Sequence, residues 1–134
     1  MPPNCQFLVD NLEDEWEYKS GQEFDYIHQR NMCGSIYNWT KLYKQAFAHM
    51  RPGGWLEIQE FEVWFQSQKE EGLPEGSAIQ QWQSLLDEAS TKTGSRLNYA
   101  TSFEKNLEEA GFTDIQARRF KVSHRLDDVV KLIL

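Results

Sequence analysis

The chain has 134 residues, 40% hydrophobic and 13% aromatic, with a formal charge of −7. That length suits one domain around one core, and the composition excludes a disordered chain. Net acidity removes any general attraction to phosphate backbones or anionic lipid, so neither nucleic acid nor a membrane surface is an expected partner; the local basic group Arg118, Arg119 and Lys121 does not reverse this.

In chain order, "CQFLV" (5–9) is an apolar run of strand character that stops at Asp10-Asn11, and its residues predict a buried strand. An acidic, turn-prone stretch follows, broken at Gly21, and "FDYIH" (24–28) predicts a second strand. Trp39, Leu42, Tyr43, Ala46, Phe47 and Met50 form one helical stripe, so a helix is expected over 39–50 with Asn38 or Thr40 as its cap. Pro52 cannot continue a helix, and Gly53 or Gly54 can adopt the positive φ that ends one. "WLEIQEF" (55–61) then alternates Trp55, Glu57 and Gln59 against Leu56, Ile58 and Glu60, a largely buried strand.

A polar loop (67–77) leads to Ser77 as the cap of a second helix, whose apolar side is Ile79, Trp82, Leu85, Leu86 and Ala89 and which ends before Gly94. Trp82 is expected in the core. A third helix over 101–110 places Phe103, Leu107 and Ala110 on one face, with Gly111 as its terminating glycine, and "FTDIQARRFKV" (112–122) returns to strand character. There is no internal repeat. Strands alternating with helices imply βαβ units and a mainly parallel sheet, in which ligands bind beyond the carboxyl ends of the strands. Those ends are Asp10-Asn11-Leu12, His28-Gln29-Arg30-Asn31 and Gln59-Glu60-Phe61-Glu62.

Cys5 and Cys33 show no C-x-x-C spacing, and reduced thiols are expected. His28, His49 and His124 form no H-x-x-x-H pattern, so no metal site is expected. No apolar run approaches the roughly 20 residues of a membrane span, and "MPPNCQFLVD" lacks the basic start and apolar core of a secretory leader. Cytoplasm or nucleus is the expected location.

Four stretches in order, "FLVDNLEDEW", "FDYIHQRNMCGSI", "LYKQAFAHMRPGGWLEIQEFEVW" and "LEEAGFTDI", resemble the second half of a Rossmann-like S-adenosylmethionine-dependent methyltransferase, nearest to the fungal LaeA-like group associated with secondary metabolism. The resemblance covers residues 3–122 and implies an α/β fold, an incomplete Rossmann-like sheet holding the family's third, fourth, fifth and sixth strands. It implies a partial methyltransferase domain over 1–122 and a divergent tail over 123–134, where "SHRLDDVVKLIL" departs from the family pattern.

By that resemblance the cofactor is S-adenosyl-L-methionine. Asp10 would accept a hydrogen bond from the adenine amino group, and the backbone N–H groups of Asn11 and Leu12 would face the ring nitrogen. Otherwise Asp10 only caps its turn. His28, Gln29 and Arg30 would pass beneath the methionine portion, with His28 equally readable as a satisfied strand-end histidine. Glu60 would lie near the substrate side, as a general base or, by default, a solvated carboxylate. Methyl transfer from a sulfonium depends mostly on proximity and orientation, and a base is needed only where the acceptor must lose a proton. No catalytic residue is named, and the methyl acceptor, a small molecule or a protein, is open.

The departures are equally specific. There is no G-x-G-x-G loop for the cofactor's methionine part and no second-strand acidic residue for its ribose, and the seventh strand has no counterpart. In the family order 3-2-1-4-5-7-6, only the fourth and fifth strands then remain neighbours. The exposed edge of strand 24–28 is expected to invite self-association. The chain is thus expected to be a fragment or misassembled gene product, inactive alone, or else a remnant that acts by binding itself or a full-length relative. An unrelated α/β domain is the third reading, and strands 24–28 and 55–61 that were not adjacent and parallel would favour it.

Overall fold

The computed structural model describes residues 3–18, 21–67 and 73–120. Its elements are β1 (Phe24–Arg30), α1 (Trp39–Ala48), β2 (Met50–Gln59), α2 (Ala78–Thr93), a short 3-10 turn (Ala100–Ser102) and α3 (Phe103–Ala110). β1 and β2 form a two-stranded parallel sheet joined through α1, a βαβ unit. The two strands expected to be neighbours are neighbours, and parallel.

The helix ends follow local chemistry. Asn38 accepts the Lys41 N–H at 2.9 Å, and Glu13 supplements that cap from outside, its Oε1 accepting from Tyr37 N at 3.0 Å and Asn38 N at 2.7 Å. A carboxylate there opposes the positive end of the helix dipole. α3 ends in a Schellman motif on Gly111, at φ 109°: Phe112 N donates to Leu107 O at 3.0 Å and Gly111 N to Glu108 O at 3.0 Å. A Cβ at Gly111 would also sit 3.0 Å from the Phe47 ring.

The core lies between α1, α3 and the inner face of β2. Trp39, Leu42 and Tyr43 of α1 meet Phe103 and Leu107 of α3, and Ile58 enters from the sheet. The aromatic rings meet edge to face, Trp39 to Phe103 at 4.9 Å and Tyr43 to Phe103 at 5.9 Å between centroids, geometries their quadrupoles favour.

Four expectations are corrected. The Pro-Gly-Gly segment does not separate helix from strand. α1 ends at His49, with φ −104°, and residues 51–54 lie inside β2 as a bulge. While β1 advances from Phe24 to Tyr26, the partner strand advances from Met50 to Trp55. Glycine permits this because Gly53 has φ 82°, and a Cβ on Gly54 would fall 3.0 Å from Arg51 O and 3.1 Å from Asp25 O.

Residues 5–9 are not a strand and are not buried: Phe7, Leu8 and Val9 are exposed, because no strand among the described residues lies beside them to accept their backbone bonds. Residues 112–120 also form no strand beyond an isolated bridge at Arg118, since Asp114 turns left-handed at φ 56° and breaks the extended path; 121–122 and the tail 123–134 lie outside the described residues.

The fourth correction concerns α2. Ser77 and Gly94 flank it as expected, though the Ser77 hydroxyl makes no capping bond; Ile79, Trp82 and Leu85 are exposed and the buried side chains are Gln83 and Ser90. Polar bonds anchor the helix: Phe65 N donates to Gln83 Oε1 at 2.9 Å, Leu97 N to Ser90 Oγ at 3.3 Å, and Asn98 Nδ2 to Asp87 Oδ1 at 3.1 Å. Trp82, 49% exposed, meets the Phe65 ring at a centroid distance of 5.9 Å and is not part of the buried core.

Candidate functional site

The carboxyl ends of the two strands are closed by a buried carboxylate. The chain leaves β1 through Asn31, left-handed at φ 54°, whose N–H still donates to Gln59 O at 2.9 Å. The next two amides then converge on Glu60, one residue beyond β2. Met32 N donates to its Oε1 at 2.5 Å and Cys33 N to its Oε2 at 3.2 Å, while Gln29 Nε2 adds a third bond at 3.2 Å.

Glu60 is only 2% exposed. The expected solvated carboxylate is therefore corrected, and its lone pairs are engaged by the loop rather than held ready for a substrate proton. Burial, reinforced by the Glu60 charge, pushes the neighbouring Cys33 thiol up to about 12, so it is not a thiolate nucleophile at neutral pH.

The sheet has two unlike faces. Leu56 and Ile58 face α1 and the core, and Gln29 turns toward Glu60. On the other face the register pairs Tyr26 with Trp55, His28 with Glu57 and Arg30 with Gln59. Glu57 gathers this face. Its Oε2 accepts from the Tyr26 hydroxyl and lies 2.8 Å from His28 Nδ1, and its Oε1 accepts from Gln59 Nε2 at 2.6 Å. The Tyr26 bond, then the Gln59 bond, hold the Glu57 carboxyl down at about 2, and the same contact raises the Tyr26 phenol.

The residues expected at the adenine make local hydrogen bonds. Asp10 is exposed and its Oδ1 accepts the Asn11 N–H at 2.8 Å; Asn11 Oδ1 accepts the Glu13 N–H at 3.2 Å. Leu12 O accepts from Trp16 Nε1 at 3.0 Å and from Gln45 Nε2 of α1 at 3.3 Å. The Asp10 trio is thus tied to α1, while His28, Gln29 and Arg30 are set by the sheet. To bind adenine as expected, the Asn11 N–H would exchange its bond to Asp10 for one to the ring nitrogen, and the Asp10 carboxylate has further lone pairs for the amino group; the run before Asp10 is not seated in the sheet. A hollow of about 400 Å³ lies along α1, lined by Asn38, Lys41, Lys44 and His49 among others, and by none of these six residues. Among the described residues no group of His, Cys, Asp or Glu is placed to hold a metal ion.

Sequence reasoning missed two features. One is the Glu57–His28–Tyr26 cluster, whose only signal was strand alternation placing the three on one face once the register is known. The other is the role of Glu60, for which there was no local signal.

Comparison with known proteins agrees with the βαβ geometry. The methyltransferase domain family matches residues 2–117. Methyltransferase pytC of Aspergillus terreus is 40% identical over 121 residues, 90% of this chain and 36% of the relative. The secondary metabolism regulator laeA of Aspergillus flavus is 36% identical over 116 residues, 85% of this chain and 31% of the relative. The protein-methionine methyltransferase laeA of Emericella nidulans is 33% identical over 116 residues, 85% of this chain and 30% of the relative. The chain spans about a third of the length of these curated relatives. With a small α/β fold and a parallel two-stranded sheet, it belongs to the methyltransferase domain family.

Proposed function

We propose that these residues are part of a Rossmann-like, S-adenosylmethionine-dependent methyltransferase of the LaeA-like kind, acting on an unidentified acceptor in secondary metabolism, and that by themselves they do not turn over. The observation that carries the reading is the pair of parallel strands, β1 and β2, joined through α1 with a braced loop at their carboxyl ends, in a chain matched to the family over residues 2–117. The reading of inactivity is supported by the lack of a G-x-G-x-G loop in these residues and by the Asn11 N–H being engaged with Asp10.

Calorimetric titration of the monodisperse chain with S-adenosylhomocysteine tests this. No saturable heat is expected. Saturable binding abolished by Asp10→Ala would overturn the inactive reading and establish a working half-site at Asp10, Asn11 and Leu12, with His28, Gln29 and Arg30 as its other side.

A second reading, association with itself or with a longer relative, is favoured by the sheet edge. β1 has one strand neighbour among the described residues, and its other edge leaves backbone groups to be satisfied. Sedimentation should show a concentration-dependent dimer that is weakened by Ile27→Pro, which disrupts the edge strand. A strict monomer at high concentration would remove this reading.

A further inference from the structure

The face of the sheet opposite the core carries a preorganised polar cluster. Exposed ion pairs contribute little to stability, yet Glu57 collects three side-chain partners on this face, Tyr26, His28 and Gln59. Their arrangement fixes the proton on His28. Glu57 is an acceptor only, so the 2.8 Å contact to its Oε2 must be a donation from His28 Nδ1–H. Neutral His28 then carries its lone pair on Nε2, for which no partner is present among the described residues, and its side chain is 38% exposed. A carboxylate that holds an imidazole by Nδ1 and leaves Nε2 bare is the arrangement of a general base.

The neighbouring positions indicate what would sit over it. One step back along the strands, Trp55 and Tyr26 face each other across the ladder, 65% and 54% exposed. One step forward is Arg30, opposite Gln59. Alternate residues on one strand face are about 6–7 Å apart, so an aromatic platform, a proton acceptor and a cation lie in sequence along one strip.

We propose that His28, oriented by Glu57, is the proton acceptor of a binding strip for a planar, weakly acidic hydroxyl compound, a phenol or enol, lying over Trp55. The ligand's O–H proton moves to His28 Nε2. The O–H bond breaks, its electron pair stays on the ligand oxygen, and the resulting imidazolium is neutralised by Glu57 while Arg30 faces the new anion. No oxidant or co-reactant is involved. This goes beyond the methyltransferase reading and needs no cofactor, so its test stands apart from the S-adenosylhomocysteine titration.

The probe is 4-nitrophenol, whose anion absorbs visibly, at a pH where the free compound is mostly protonated. The whole chain should raise the anion absorbance saturably, against its own charge of −7, which by itself disfavours an anion. His28→Gln should abolish the gain, and Trp55→Ala should weaken apparent affinity by about fivefold through lost stacking. Nitrogen-15 imidazole spectra should show neutral His28 as the Nδ1–H tautomer in the wild type and lose that preference in Glu57→Gln. An equal absorbance gain in His28→Gln, no gain with the folded wild type, or a wild-type Nε2–H tautomer would each overturn the proposal.

Discussion

Phe103→Ala should remove cooperative unfolding or lower the midpoint so far that the chain is largely unfolded at ordinary temperature. Phe103 is fully buried and its ring meets Trp39, Tyr43 and Tyr99 at centroid distances of 4.9, 5.9 and 5.8 Å. Truncating such a ring costs about 3–5 kcal/mol in lost transfer energy and residual cavity. Whole domains are stable by only about 5–15 kcal/mol, and among the described residues this core is a small cluster of buried side chains. Urea denaturation followed by tryptophan fluorescence reads the effect. Phe61→Ala, at a half-exposed side chain outside the core, is the comparison, with an expected loss below about 1 kcal/mol. Equal losses at both positions would mean that the α1–α3 contact is not the centre of the fold.

Glu60→Ala should have the next largest effect and a distinctive signature. The substitution leaves the Met32 and Cys33 amides and the Gln29 side-chain amide without their acceptor. Unsatisfied, half-buried donors cost about 1–3 kcal/mol each; water entering the opened loop offsets part of that, so the expected loss is about 2–4 kcal/mol. The second readout is chemical. Cys33 is shielded and its thiol is pushed up to about 12, so it should react slowly with a thiol reagent at mildly alkaline pH, while exposed Cys5 reacts at once and serves as the internal reference. In Glu60→Ala the loop opens, and Cys33 labelling should accelerate at least tenfold relative to Cys5. Unchanged labelling with unchanged stability would show that the turn at Asn31 holds the loop without the carboxylate.

Much of the local architecture is legible in the sequence. Asn38 as a cap, Gly94 and Gly111 as helix ends, and the stripe from Trp39 to Ala46 all depend on interactions within a few residues. Those interactions are settled by side-chain hydrogen bonding and by the sterics of positive φ. The adjacency of β1 and β2 was also legible, because a helix between two strand-like runs leaves few packings other than a parallel pair.

What escaped was every question of what covers what. The stripe Ile79, Trp82 and Leu85 has good helical spacing, yet it lies outward, because α2 is held by Gln83, Ser90 and Asp87. Phe7, Leu8 and Val9 have strand character without a neighbouring strand. Pro52-Gly53-Gly54 has the composition of a helix end, and only the register with β1 makes it a bulge.

Glu60 and Glu57 make the same point for the candidate site. They stand three residues apart on one strand end with the same side chain. One is buried beneath the Met32–Cys33 loop and the other binds Tyr26 and His28 on the open face. The order of residues by itself determined the helices, their ends at Asn38, Gly94 and Gly111, the pairing of the two strands and the kinship to methyltransferases. Tertiary structure alone decided which faces are covered and which carboxylate braces a loop. Periodicity specifies which residues share a face, but burial also requires a second surface to meet it, and that surface comes from residues distant in the chain.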